Sequence, residues 1–205
     1  PKDICDDVMF TMKKYDNICK YIHLPAQSGN SRVLELMNRT YTREWYLSKV
    51  ERIREIMPDC AISCDIICGF CTETESDHED TISLMKESNF DFSYMYFYSE
   101  RPGTLAAKKL EDNVPLEVKK RRLTEVIQLQ NGIAFEKNKF YLGKVVTVLI
   151  EGTSKKSKDE FKGRNDQNIT TVFPKENYKL GDLVDVLIED HTTSTLKGHA
   201  IGLAK

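Results

Sequence analysis

The sequence predicts an α/β unit followed by a small all-β unit, and three observations carry that prediction. Through the first two-thirds of the chain, short β-branched apolar runs alternate with segments whose apolar residues recur at helical spacing. From Tyr141 onward the helical period is lost, and five short β segments follow, separated by turns rich in Gly, Asn, Asp and Lys. Between the two lies one long amphipathic stretch with Pro115 near its start. The resulting boundaries are 1–138 for the α/β unit with its connecting helix and 139–205 for the β unit.

Each element has a local reason. ICDDVMFTMKK (4–14) is an amphipathic helix, and KYIHLP (20–25) is a short apolar strand ending at a proline. QSGNSR then supplies loop chemistry, with Ser31 as the expected cap of a short helix through VLELM. Thr42 is expected to cap the next helix, in which Tyr46, Val50, Ile53 and Met57 recur until Pro58 stops it. AISCDIICGF (61–70) reads as a strand, Ser76 with Glu79 as a capping box opening a helix to about residue 88, and FDFSYMYFYS (90–99) as another strand. The Pro115 helix runs to about Asn138 with Leu123, Val126, Ile127, Gln130 and Ile133 available for one face. KVVTVLIEG, the stretch around EFKGRN, NITTVFP, LVDVLIED and STLKGHAIG then predict a closed barrel of OB-like type.

In a sheet built by strand, loop and helix repeats, chemistry gathers in the loops after the strand C-terminal ends. QSGNSR, GFCTETE and YSERPGT all fall there. Hydrophobic content of 40% and charged content of 30% are those of an ordinary soluble protein. No apolar run approaches the ~18 residues of a membrane span, and PKDICDDVMF lacks the layout of a signal peptide, so a cytoplasmic location is the default expectation. The first residue is Pro1 and not methionine, which hints at a fragment of a longer protein. The net charge of −2 divides unevenly, with an acidic surplus before residue 137 and a basic one after it, so the β unit is the better match for a polyanion.

Six cysteines without a signal peptide read as reduced thiols or metal ligands and not as a disulfide framework. Within CAISCDIICGFC, Cys64, Cys68 and Cys71 have the C-x3-C-x2-C spacing by which radical S-adenosylmethionine (SAM) enzymes hold an iron-sulfur cluster. A strand, however, puts Cys60, Cys64 and Cys68 on one face with neighbours roughly 13 Å apart. Thiolates on one cluster must come within roughly 6 to 7 Å of each other. These cysteines are therefore expected to be small hydrophobes in a barrel wall, with no metal ligands in this chain.

HLPAQSGNSRVLELMNRTYTREWYL (23–47), DIICGFCTETESDHEDT (65–81), YSERPGTLAA (98–107) and VPLEVKKRRLTEVIQLQN (114–131) closely resemble the radical-SAM methylthiotransferase family. GKVVTVLIEGTSKKS, KGRNDQN and LKG resemble the TRAM domain that ends those proteins, and TYTREWYL and GRNDQN are most like its tRNA-modifying branch. The resemblance covers nearly the whole chain. It implies the second half of a (β/α) radical SAM barrel followed by TRAM. The cluster-bearing loop and the domain for a second cluster, two [4Fe–4S] clusters in all, would lie upstream.

The resemblance also implies roles for particular residues. Gln27 and Ser28 would bond the ribose or aminoacyl part of SAM, and Arg32 its carboxylate. Ile67 to Gly69 would present backbone atoms to the adenine, with Tyr98 and Ser99 nearby and Arg101 facing the substrate. Where the family has Pro-Gly, this chain has Cys71 and Thr72; a left-handed backbone there would strain Thr72. His23 reads as a core histidine, and Tyr94 and Tyr96 as strand packing. In the β unit, Lys155, Lys156 and Lys158 form a basic loop, while Lys162, Arg164 and Asn165 are candidate RNA contacts and Phe161 a candidate stacking platform.

The activity so implied converts N6-isopentenyladenosine beside the anticodon of a tRNA to its 2-methylthio derivative. SAM is cleaved reductively to a 5′-deoxyadenosyl radical, with flavodoxin or ferredoxin as electron donor. The alternatives are a ribosomal-protein aspartate methylthiotransferase and a threonylcarbamoyladenosine methylthiotransferase. The 205 residues alone are expected to be inactive, and an open sheet edge would favour their self-association.

Overall fold

A computed structural model describes residues 4–204; Pro1 lies outside the described residues. Compact packing joins the residues up to Tyr15 with Ile22–Ile133, and Asp16–Tyr21 with Ala134 onward.

The first unit contains α1 (Asp6–Lys14), β1 (Tyr21–His23), α2 (Ser31–Leu36), α3 (Arg43–Ile56), β2 (Ala61–Cys68), α4 (Glu75–Ser88), β3 (Phe92–Phe97), α5 (Leu105–Lys109) and most of α6 (Leu116–Lys139). The strands form a sheet in the order β1-β2-β3, in which β2 and β3 run parallel from the Ser63–Phe92 pair to the Cys68–Phe97 pair. Ile62, Cys64, Ile66 and Cys68 share one face of β2, as the pleat requires, and pack with Tyr46, Ile53, Met85 and Phe90 in the main apolar core. Val126 of α6 joins that core, and the buried Gln130 carboxamide bonds Ser93 Oγ at 2.8 Å and Phe90 O at 3.0 Å.

Thr42 caps α3 as expected, accepting from the Trp45 N–H. Two other caps differ from expectation. Asn30, and not Ser31, caps α2: its Oδ1 accepts from the Val33 N–H, while the Ser31 hydroxyl accepts from the Arg43 N–H at 3.0 Å. At α4 the capping box is Thr74 with Asp77 and not Ser76 with Glu79. The chain already turns helical at Glu75, so Ser76 lies inside the helix, and the short Asp77 side chain reaches back to the Thr74 N–H at 2.8 Å.

The second unit closes β4 (Val145–Thr153), β5 (Glu160–Asn165), β6 (Thr170–Pro174), β7 (Leu183–His191) and β8 (Thr195–Leu203) into a barrel in the order β4-β5-β6-β8-β7. All neighbours are antiparallel except β6 and β8, the arrangement of an OB-like barrel. Val148, Ile150, Phe173, Val184, Val186, Ile188 and Leu196 fill it. Gly163 and Gly198 permit the tight coiling, because a Cβ at either would overlap the carbonyl oxygen of Leu149 or of Leu187 on the adjacent strand.

Candidate functional site

The three loops predicted to carry chemistry leave the same edge of the sheet. The segment after β1 is tied to β2 by hydrogen bonds from Leu24 N–H to Ser63 O, from Gln27 N–H to Asp65 O and from Ile67 N–H to Gln27 O, each 2.8 to 2.9 Å. Gln27 holds φ 72, an uncommon conformation for a residue with a side chain. At the end of β3, the Tyr98 N–H donates to Cys68 O at 2.8 Å. Gln27, Ile67, Cys68 and Tyr98 are thus joined by backbone bonds along one strand-end edge, and Gly69 follows directly after Cys68.

The first loop rests on α4. The Gly29 N–H donates to Thr81 Oγ1 at 2.9 Å, Asn30 Nδ2 to Asp80 Oδ2 at 2.7 Å, and a Cβ on Gly29 would overlap the Asp80 carbonyl. Ser28 is buried here; its hydroxyl accepts from the Asn30 N–H at 3.2 Å and lies 3.4 Å from Thr81 Oγ1. Arg32 is engaged as well: it bonds Thr72 Oγ1 at 3.1 Å and Thr72 O at 3.0 Å, and pairs with Asp77. Burial pulls the Asp77 carboxyl upward, but the Thr74 N–H and the Arg32 guanidinium outweigh it and hold Asp77 below the ordinary carboxylate range.

The second loop carries the strain that the cysteine-threonine replacement implied. Thr72 has φ 62, held by Arg32 and by its own N–H, which donates to Asn113 Oδ1 at 2.9 Å. Gly69 is left-handed too, with φ 69. Its N–H donates to Glu73 Oε1 at 2.8 Å, and a Cβ there would overlap Lys119 Cγ. Glu73 is buried with Arg122, whose Nη1 donates to Glu73 Oε1 at 2.9 Å and to Glu73 O at 3.0 Å. Sequence reasoning missed Glu73, Lys119 and Arg122. Lys119, Arg122, Val126 and Gln130 follow one helical stripe, so charges inside an apolar stripe were the signal available.

The Tyr98 ring meets Phe70 edge-on at 4.8 Å and lies under Lys119 Nζ at 5.2 Å, and burial pushes its hydroxyl up to about 12. Ser99 and Arg101 are exposed beyond it. Cys64 and Cys68 are buried in the core, where burial pushes both thiols up to about 12; Cys71 packs separately with Val33 and Phe70. Among the described residues no three His, Cys, Asp or Glu side chains gather in a metal-binding arrangement. His23 is half-exposed, with Nδ1 2.7 Å from Ser63 Oγ and Nε2 3.5 Å from Asp65 Oδ2.

In the barrel, Asn165 is buried and serves a turn: its Oδ1 accepts from the Ile169 N–H at 2.8 Å, and its Nδ2 donates to Gln167 at 3.2 Å. Arg164 clasps Asn168 through Oδ1 at 2.7 Å and meets Glu151 at 3.4 Å. Phe161 packs 6.0 Å from Phe173 under Lys175, and Lys162 is half-buried on β5. Lys155, Lys156 and Lys158 are exposed in the β4–β5 connection.

The model of the Radical SAM superfamily matches residues 2–85. The chain carries a segment similar to the radical SAM superfamily. The TRAM domain model matches residues 139–201, which include the whole barrel apart from the last residues of β8. Over 199 residues the radical SAM and TRAM segments together are 62% identical to the tRNA-2-methylthio-N(6)-dimethylallyladenosine synthase of Amoebophilus asiaticus, covering 97% of this chain and 41% of that protein. The protein of the same name from Flavobacterium johnsoniae is 55% identical over 204 residues, covering 100% and 42%. The chain therefore spans about two-fifths of the length of the curated relatives it matches. Among solved structures, coproporphyrinogen III oxidase (HemN) from Escherichia coli, described as a radical SAM enzyme, aligns with a TM-score of 0.55 at 17% identity, over 81% of this chain and 45% of that one.

Proposed function

We propose that the protein carrying this chain is a radical-SAM methylthiotransferase that converts N6-isopentenyladenosine beside the anticodon of a tRNA to its 2-methylthio derivative. The observation that carries this reading is identity of 62% across almost the entire chain, through both the radical SAM segment and TRAM, to a synthase of that name. The aspartate and threonylcarbamoyladenosine alternatives have no such support. The absence of any helix long and apolar enough to cross a membrane, among the described residues, is consistent with work on tRNA in the cytoplasm.

SAM fits the strand-end edge by its chemistry, since backbone polar groups and one glycine converge there. Gln27, Ile67, Gly69 and Tyr98 would frame the adenine and ribose, with Ser28 shaping the first loop from beneath and Ser99 at its rim. Arg32 reaches a carboxylate only if it exchanges one of its bonds to Thr72 or Asp77. When bound beside a reduced iron-sulfur cluster, SAM supplies a 5′-deoxyadenosyl radical, the cluster's electron coming from a donor such as flavodoxin or ferredoxin. Cys60, Cys64 and Cys68 do not fit such a cluster, because they are core residues; its ligands would lie in the remainder of the protein.

The tRNA anticodon stem-loop would meet the TRAM barrel through Lys162, Arg164 and the exposed lysines, with Asn165 shaping their turn and the Phe161 edge within reach of an unstacked base, and Arg101, in the loop after β3, is the candidate contact of the α/β unit to substrate. Self-association of the chain by itself would use the β3 edge, where Phe92, Tyr94 and Tyr96 are exposed. The test is mass spectrometry of tRNA nucleosides after deletion of the gene. Loss of the methylthio group with retention of isopentenyladenosine is the expected result; unchanged methylthio-isopentenyladenosine would overturn the proposal.

A further inference from the structure

The Gly69 turn is held from behind by α6, and nothing in the proposed chemistry requires α6 to be there. Three observations converge on it. The Gly69 N–H has a single anchor, Glu73 Oε1 at 2.8 Å. That same oxygen accepts from Arg122 Nη1 at 2.9 Å, and Arg122 also holds Glu73 O at 3.0 Å and Glu75 Oε2 at 3.0 Å. One turn earlier, the Lys119 stem occupies the volume a Cβ on Gly69 would need, and its ammonium bonds both Asp112 oxygens at 2.6 Å.

The pair is costly, which sharpens the question of its purpose. The Glu73 and Arg122 side chains are 2% and 4% exposed, and Arg122 Nε has no hydrogen-bond partner. Burying two charges gives little net stability compared with an apolar pair of the same shape. What an apolar pair could not do is accept the Gly69 N–H and fix its direction. A left-handed glycine otherwise has wide conformational freedom. Clamping it orients the peptide that leaves the β2 strand end, which is flanked by Gln27 on one side and Tyr98 on the other.

We propose that Arg122, acting through Glu73 and backed by Lys119, is a positioning residue that sets the Gly69 backbone against which the adenine of SAM is bound. The inference rests on the reading of this edge as the SAM site. It extends that reading to a helix outside the strand-end loops.

The test uses the full-length protein with three readouts: SAM affinity by calorimetry, hydrogen exchange of the peptide containing Gly69, and thermal unfolding. The variants are Arg122→Met, Arg122→Lys and Glu73→Gln, with Gln130→Met as control. Gln130 is equally buried on α6 but bonds Ser93 and Phe90. Arg122→Met should weaken SAM binding about tenfold or more and speed exchange at Gly69 by a similar factor, as expected for loss of a hydrogen-bonded charge pair. Arg122→Lys should recover part of both, and Glu73→Gln, which keeps the acceptor for Gly69, most of both. Gln130→Met should lower the unfolding temperature with SAM affinity and Gly69 exchange unchanged. If Arg122→Met proves too unstable to assay, Arg122→Lys and Glu73→Gln still decide the matter, because their order in SAM affinity is fixed by the proposal. Unchanged exchange at Gly69 in Arg122→Lys would overturn it, as would an equal loss of SAM affinity in Gln130→Met. Failure of the unaltered protein to bind SAM, with exchange responding as described, would refute the SAM site and leave the clamp standing.

Discussion

The α/β unit and the barrel reach stability by opposite means. In the α/β unit Glu73, Asp77, His78, Lys119 and Arg122 are all buried, and ion pairs tie α4 to α6, α2 to α4 and α6 to the β2–α4 loop. In the barrel strands the buried polar residues are Asn165 and Thr171, neither of them ionisable. Its Arg164–Glu151 and Lys197–Asp190 ion pairs and its His199–Glu189 contact all face solvent, where such pairs contribute little. The difference teaches where precision is demanded. Strand-end loops proposed to hold a small cofactor are fixed by directional, charged bonds, whereas a barrel that presents a surface needs only a filled interior.

Breaking each unit at its centre separates the two means most strongly. Phe173→Ala should cost about 3 to 5 kcal/mol in the barrel, independent of pH, through the cavity it leaves. Arg122→Met should cost a similar 3 to 5 kcal/mol in the α/β unit at neutral pH, by stranding the Glu73 charge. That penalty should shrink in acid, since burial already raises Glu73 and a protonated carboxyl needs no partner. Denaturant unfolding followed by Trp45, the chain's single tryptophan, reads the α/β unit alone; circular dichroism reads both. Equal pH dependence for the two variants would dissolve the contrast.

A smaller effect is expected from Gly198→Ala. It should destabilise the barrel by about 1 to 3 kcal/mol, because the new methyl meets the Leu187 carbonyl, and should leave the Trp45 transition in place.

Acid should then act unequally on the unaltered chain. The guanidiniums of Arg121 and Arg122 hold Glu75 at about 2, and Asp77 and Glu125 are also lowered. A lowered carboxylate stabilises the fold above its unfolded pKa and loses that contribution as pH falls toward the folded value. Glu73 runs the other way, favouring the fold as it takes up its proton, so it offsets part of the loss. Between pH 5 and 2 the Trp45 transition should therefore weaken more than the barrel, where Asp190 is the lowered carboxyl on β7. Acid titration of both signals checks this.

The smallest change is expected from Thr72→Gly. It relieves a left-handed backbone but gives up the Arg32–Thr72 Oγ1 bond, so stability should shift by less than about 1 kcal/mol. A loss above 2 kcal/mol would mean that the Arg32 bond, and not the backbone, dominates that turn.

Much of this architecture was legible because it is periodic. The strand alternation in AISCDIICGF, the Thr42 cap and the five β segments are local patterns, and each appears where its residues required. The misassigned caps lie where the code is degenerate: Asn30 and Ser31 are adjacent and both competent, and TETESDHE contains three overlapping capping-box patterns, opening at Thr72, Thr74 and Ser76. Just before the Thr74 cap the chain passes through the left-handed Thr72, which is held by Arg32 and Asn113, residues distant in the sequence. The Glu73–Arg122 pair was invisible for another reason. Its partners are far apart in the chain, and no spacing rule links a loop carboxylate to a helix stripe.

The packing of the cysteines gives the molecule an internal record of its own opening. Cys5 and Cys19 are exposed and should react with an alkylating reagent at once, whereas Cys60, Cys64, Cys68 and Cys71 are sealed within the α/β unit. No cysteine lies among residues 139–205. The slow phase of thiol labelling, resolved residue by residue, therefore times excursions of the α/β unit with no contribution from the barrel. If Cys71 reacts ahead of Cys64, that order would identify the β2–α4 loop as the first part of the unit to open.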